Sequence, residues 1–194
     1  MGGAVMRTYI TRTFVFAAAI ALALPLAAAP VGDDGLHKPD WLRDTFKDLR
    51  DDLEEANAEG KRLLITVEQR GCVYCKKMHE EVFPDPIIDA LIREHYFVVQ
   101  INMFGDIDVT DFDGTTLPEK AMATRWGAMF TPMLIFFPQE VPEGKTAAES
   151  AVAMMPGAFG KGTTEALLIW VRDREYETGA HFQKFLADRT NAKN

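Results

Sequence analysis

An apolar run, Leu63-Leu64-Ile65-Thr66-Val67, runs into Gly71-Cys72-Val73-Tyr74-Cys75, and a helical pattern carrying Met78, Val82 and Phe83 follows at once. This strand, C-x-x-C turn and helix constrain the fold more than any other stretch. The strand has to be buried, the helix has to pack back against it, and both sulfurs are held at the helix's first turn. Two thiols three positions apart at that turn can close a disulfide with each other. The unpaired N–H groups and partial positive charge of the helix N-terminus stabilise the first of them as a thiolate. Cys72 is therefore the candidate nucleophile and Cys75 the candidate resolving thiol, and the chain has no other cysteine.

The N-terminus carries Arg7 and Arg12, an apolar run from Phe14 to Leu24, the small-residue stretch Pro25-Leu26-Ala27-Ala28-Ala29, and no acid before Asp33. That is the layout of a secretory signal peptide over residues 1–29, with an uncleaved N-terminal anchor as the alternative because Pro30 is a poor residue to follow a cut. A polar, Gly-containing linker is expected over 30–39 and one domain over 40–190. Losing residues 1–29 removes two arginines and no acid, which carries the formal charge from −8 to −10. So acidic a chain is a poor partner for nucleic acid or anionic lipid. The remaining ~165 residues suffice for a domain with a real core. Such a domain does not need a disulfide to stand, and a C-x-x-C bridge closes too short a loop to restrict the unfolded chain. In an oxidising compartment an unattended dithiol would be oxidised, so a reductant working there needs an electron donor.

Along the chain, Leu42, Phe46, Leu49, Leu53 and Ala56 repeat at steps of four and three between Pro39-Asp40 and Gly60, which predicts a helix with an Asp cap and a Gly stop. A helix broken at Pro84-Asp85-Pro86 and a second strand at Phe97-Val98-Val99-Gln100-Ile101 follow the cysteines. Residues 103–117, with Asp106, Asp108, Asp111, Asp113 and Gly114, read as an irregular insertion. No register gives them the Asp pattern and twelfth-position Glu of a calcium loop, so a polar surface loop is expected. Pro118 to Trp126 predicts a helix stopped by Gly127. Thr131-Pro132 leads into Met133-Leu134-Ile135-Phe136-Phe137, and Ser150 to Met155 is the expected antiparallel partner strand. Thr163 is the expected cap of a helix carrying Leu167, Trp170 and Val171, and Phe182, Phe185 and Leu186 suggest one more helix.

This order predicts an α/β fold around a small mixed sheet flanked by helices, and at this point the chain resembles the thioredoxin superfamily. The resemblance rests on Cys72-Val73-Tyr74-Cys75 after the Leu63–Val67 strand and on Thr131-Pro132 before the next one, and it covers roughly residues 40 to 175. It implies a cis-Pro132 against the cysteine pair, with the adjacent backbone accepting an extended substrate peptide. Thr131, Pro132 and Tyr74 then become substrate-facing. Within the superfamily, the run from Glu68 to His79 is similar to the exported thioredoxins of bacterial thiosulfate oxidation (SoxW-type). That likeness implies a periplasmic disulfide reductase that uses no cofactor beyond the redox-active disulfide Cys72-Cys75. Its electrons would come from a membrane thiol transporter of the CcdA or DsbD kind, and its substrates would be disulfide-containing exported proteins, a cysteine-bearing sulfur carrier or its partners among them. A monomer is the default expectation.

Two departures from the cytosolic thioredoxin pattern stand out. No Gly-Pro separates the cysteines, and Thr66 stands where the family's buried acid is expected, six positions before Cys72. Glu68, on the same strand end, is the candidate replacement as proton acceptor for Cys75, the plain alternative being a solvated loop residue. Lys76, Lys77 and His79 add positive potential near Cys72 or simply decorate the helix surface. Other readings of the pair are a disulfide oxidase or isomerase, an inert structural bridge, and half of a metal site. The last would need outside ligands, because His37, His79, His95 and His181 lack metal spacing.

Overall fold

The computed structural model describes residues 1–2 and 29–192; most of the expected signal segment lies outside the described residues. Strands β1 (Leu42–Arg43), β2 (Arg62–Glu68), β3 (Tyr96–Asn102), β6 (Met133–Phe136) and β7 (Ala153–Pro156) form one sheet in the order β1-β3-β2-β6-β7. The central β2 is parallel to β3 and antiparallel to β6, so the sheet is mixed. Strand β2 reads as an unbroken apolar run because both its faces are covered. Leu63, Ile65 and Val67 point to the side of α1 (Leu49–Ala58) and α4 (Glu119–Arg125). Leu64, with Val98, Leu134 and Phe136, meets α3 (Pro86–His95) and α6 (Lys161–Arg172) on the other side. This is the thioredoxin-like architecture that the motif order predicts, and it leaves the C-terminal end of β2 at the cysteine turn.

Several boundaries differ from expectation, each for a local reason. The first helix begins at Leu49 with Asp48 as its cap, not near Asp40. Lys47 is in the left-handed region at φ 58, Phe46 is fully exposed, and Leu42–Arg43 pair with Val98 and Val99 along the edge of β3. Edge pairing of the backbone outweighs a helical spacing that only partly reflects burial. Gly60 does stop the helix, at φ 70. The second hairpin strand, expected over Ser150 to Met155, starts only at Ala153, and Ser150 instead closes the short helix α5 (Ala147–Ser150). There the Thr146 hydroxyl accepts from the Glu149 N–H while the Glu149 carboxylate accepts from the Thr146 N–H, a closed capping box. Helix α6 starts at Lys161 with Gly160 at its cap, and the next threonine, Thr164, is buried.

The acidic insertion is also not a surface loop. It forms the hairpin β4 (Asp108–Thr110) and β5 (Thr116–Pro118), whose connection buries Asp111 and Phe112. Asp111 accepts hydrogen bonds from the Trp126 indole N–H at 2.9 Å, the Ala147 N–H at 2.8 Å and Arg125 at 2.9 Å. Arg125 also grips Asp113 and holds its carboxyl well below the usual range. Finally, 30–39 is no free linker. Val31 bridges to His37, and Lys38 reaches the Gln100 amide oxygen at 2.7 Å, which straps the segment across the sheet end.

Candidate active site

Gly71 sits at φ 72, a conformation that favours a residue without a Cβ, and turns the chain from β2 into α2 (Val73–Lys77). Cys72 is the N-cap of α2, and its Sγ accepts the Cys75 N–H at 2.9 Å. The two cysteines are joined as a disulfide with Cα atoms 5.2 Å apart. Their environments differ, since Cys72 is half-buried and Cys75 is only 2 % exposed. An attacking partner in solution can therefore reach Cys72 alone.

The Thr131–Pro132 bond is cis, and the Thr131 hydroxyl donates to Cys72 Sγ at 3.3 Å. Pro132 is buried, and its carbonyl accepts the Gly157 N–H at 2.7 Å, fixing the approach to β6 against the end of β7. Beside this turn runs an open groove of about 490 Å³ lined by Tyr74, Phe104, Met129, Phe130 and Thr131. Four of these, Tyr74, Phe104, Met129 and Phe130, are large apolar side chains each more than 60 % exposed. Tyr74 thus lines the groove and takes no part in a buried core.

Behind the sulfurs lies a polar cluster that sequence reasoning assembled only in part. Glu68 is 1 % exposed, so the solvated-loop alternative does not hold. Its carboxylate accepts from the Thr66 hydroxyl at 3.0 Å and the Gln100 amide at 3.3 Å, and Oε1 lies 2.9 Å from His79 Nε2. His79 is neither surface decoration nor a source of open potential around Cys72; it is 2 % exposed. Lys76 and Lys77 do stay on the surface. The ring of His79 stacks on His37 from the N-terminal strap, centroids 4.6 Å apart, and Trp41 lies beyond it. His95 and His181 stay outside this cluster, and among the described residues no three of His, Cys, Asp and Glu are grouped to hold a metal ion. A cavity of about 410 Å³ opens between the strap and the turn, with His37, Glu68, Cys72 and Cys75 on its walls.

His79, Gln100 and Phe104 carry no motif. One signal for His79 was legible: it follows Cys75 by four residues, which places the two on the same face of a helix. Gln100 and His37 join the cluster only through the pairing of β3 with β2 and the path of the strap.

Residues 49–168 match a thioredoxin-like domain family. Among curated proteins, none is similar enough to match. Among solved structures, a thioredoxin-fold protein from Helicobacter pylori is 17 % identical, with a TM-score of 0.51 over 69 % of this chain and 86 % of its own. A thioredoxin from Thermus thermophilus is 22 % identical, with a TM-score of 0.47 over 64 % of this chain and 83 % of its own. The oxidised C-terminal domain of Neisseria meningitidis DsbD is 12 % identical, with a TM-score of 0.46 over 68 % and 98 %.

Proposed function

The chain belongs to the thioredoxin-like domain family, and on that premise we propose that this thiol–disulfide oxidoreductase works as an exported disulfide reductase. The observation that carries the reading is the asymmetry of the sulfur pair: a reachable Cys72 beside the cis-proline turn, with a sealed Cys75 behind it. Cys72 thiolate attacks a substrate disulfide and forms a mixed disulfide. The sulfur of Cys75 then displaces the substrate thiolate by bonding to Cys72, and the reduced substrate leaves the oxidised enzyme. The Cys75 N–H and the Thr131 hydroxyl, both pointed at Cys72 Sγ, stabilise negative charge there at the start of the cycle.

The apolar rim of Tyr74, Phe104, Met129 and Phe130 on an acidic chain suits an extended, apolar segment of a protein substrate better than a small charged thiol. The export signal expected at residues 1–29 supports a reaction in the periplasm. A reductant there draws electrons from a membrane thiol transporter of the CcdA or DsbD kind, and its substrates are exported proteins with exposed disulfides, those of sulfur oxidation included.

Equilibration of the purified domain with glutathione or dithiothreitol buffers tests the direction. Thioredoxin-type pairs sit near −270 mV and strongly oxidising ones near −120 mV, a gap of roughly 7 kcal/mol for two electrons. A potential near the first value is expected. One near the second would make the protein an oxidase. The Cys75→Ser variant, which can attack but not resolve, should accumulate mixed disulfides with its substrates when expressed with its signal segment, and recovery of cytosolic proteins alone would sink the exported role.

A further inference from the structure

Closing the disulfide releases a proton, and the fold puts a buried acid and an imidazole where that proton has to go. As the S–S bond to the substrate breaks, its electron pair leaves on the substrate thiolate. Cys75 sulfur bonds to Cys72, and the S–H bond of Cys75 gives up its proton. The cysteine pair is oxidised and the substrate disulfide is reduced. Cys75 is only 2 % exposed, so its proton has little direct path to bulk water. The cavity it lines is walled by Glu68.

Three hydrogen-bond partners surround the Glu68 carboxylate, and they are not equivalent. The Gln100 amide can only donate, and the Thr66 hydroxyl can turn but not keep an extra proton. His79 Nε2, 2.9 Å from Oε1, can donate, accept, or take the proton outright. Its second nitrogen, Nδ1, is buried without a hydrogen-bond partner, and its ring is clamped by His37, Phe83 and Trp41. A buried imidazole with an open nitrogen is poorly explained as packing, because a Leu or Phe would fill the space without an unpaired polar atom.

Resting on the oxidoreductase reading, we propose that His79 is a positioning residue of the resolving step: the proton leaving Cys75 crosses the shared cavity to Glu68 and is held between Glu68 Oε1 and His79 Nε2. Reduction of the pair returns it by the same route. His79 touches neither sulfur and acts through Glu68. The other charged or titratable groups facing this pair are His37 on the strap, with Lys38 and Asp34 bonded to each other behind it, and Lys76 and Glu80 at the cavity mouth. Arg70, from the loop after β2, binds the carbonyls of Asp33 and Asp34.

Rapid-mixing kinetics with a disulfide-linked peptide separate the two steps. In a Cys75→Ser background, His79→Gln should change the rate of mixed-disulfide formation by less than twofold. With both cysteines present, His79→Gln should slow resolution about tenfold at pH 7 and flatten its dependence on pH. Glu68→Gln with His79→Gln should be no slower than Glu68→Gln alone, since both act on one proton. In wild-type protein the ¹⁵N shifts of the His79 ring should differ between reduced and disulfide forms, and in Glu68→Gln they should not; this readout stands even if His79→Gln folds poorly. Resolution by His79→Gln at the wild-type rate across pH 5 to 9, multiplicative defects in the double variant, or redox-insensitive His79 shifts would overturn the proposal. Failure of Cys75→Ser to form any mixed disulfide would overturn the oxidoreductase reading beneath it.

Discussion

Asp111 and Glu68 are both carboxylates removed from solvent, and the chain treats them in opposite ways. Asp111, in the insertion, is closed in by the Trp126 indole, the Ala147 and Phe112 backbone N–H groups and the Arg125 guanidinium. All of these are fixed donors, and nothing about the site can rearrange without breaking the anchor between hairpin, α4 and α5. Glu68 faces a cavity and a partner that can switch between donating and accepting. Burial of an acid therefore does not by itself mark chemistry. What distinguishes the two is whether the donors around the carboxylate are permanent.

The largest effect that could break this contrast is at Asp111. Asp111→Ala strands an indole and two backbone N–H groups and leaves Arg125 to Asp113 alone, and should cost about 3–5 kcal/mol in denaturant unfolding. The redox potential of the folded protein should stay where it was. A loss below ~1 kcal/mol would mean that the hairpin is held by Val109 and Phe112 and that the carboxylate is incidental.

Asp52 offers a third kind of buried acid, one without strong donors. Burial pushes its carboxyl up to about 7 from an ordinary 3.8, and nearby Glu55, Asp48 and Asp51 add to the rise while the Thr45 hydroxyl opposes it. One carboxylate oxygen has no partner. The folded protein therefore keeps a proton that the unfolded chain loses between about pH 4 and pH 7. Stability from this group is fully present below that window and falls as pH rises through it, by a few kcal/mol at most. Asp52→Asn should leave thermal stability nearly unchanged at pH 4 and raise it at pH 8. Equal effects at the two pH values would remove Asp52 from the comparison.

Glu68→Gln keeps shape and most hydrogen bonds, so its cost in stability should be small, about 1 kcal/mol. Its expected signature is kinetic: resolution slowed ~10- to 100-fold, with Cys72 attack intact. The smallest effect is expected at the groove. Phe104→Ala should raise KM for an apolar disulfide peptide a few-fold and leave the reaction with a small disulfide unchanged, in keeping with a contact that only protein substrates reach. An equal loss with both would place Phe104 in support of the active-site turn.

The local parts of the molecule were legible in the residues. The C-x-x-C turn at the start of a helix, the Thr131-Pro132 entry to a strand, the Pro84–Pro86 break and the Gly60 and Gly127 stops all depend on chemistry within a few positions. The failures share a cause too. Phe46 kept helical spacing although it ended up in solvent, and Asp108 to Asp113 looked like a solvated loop because the donors for Asp111 come from residues 125, 126 and 147.

The order of the main sheet strands β2, β3 and β6 and the helices between them, the sulfur pair and its placement at a helix N-cap were thus determined by the chain itself, since periodicity, backbone preference and thiol spacing act over short separations. Which cysteine is buried, which acid is pinned and which faces a cavity and an imidazole, and that the strap from Val31 to Lys38 would lay His37 on His79, were decided by tertiary structure. Donors and acceptors from distant parts of the chain meet only when the sheet closes, and the free energy of a buried polar group depends on what it meets there.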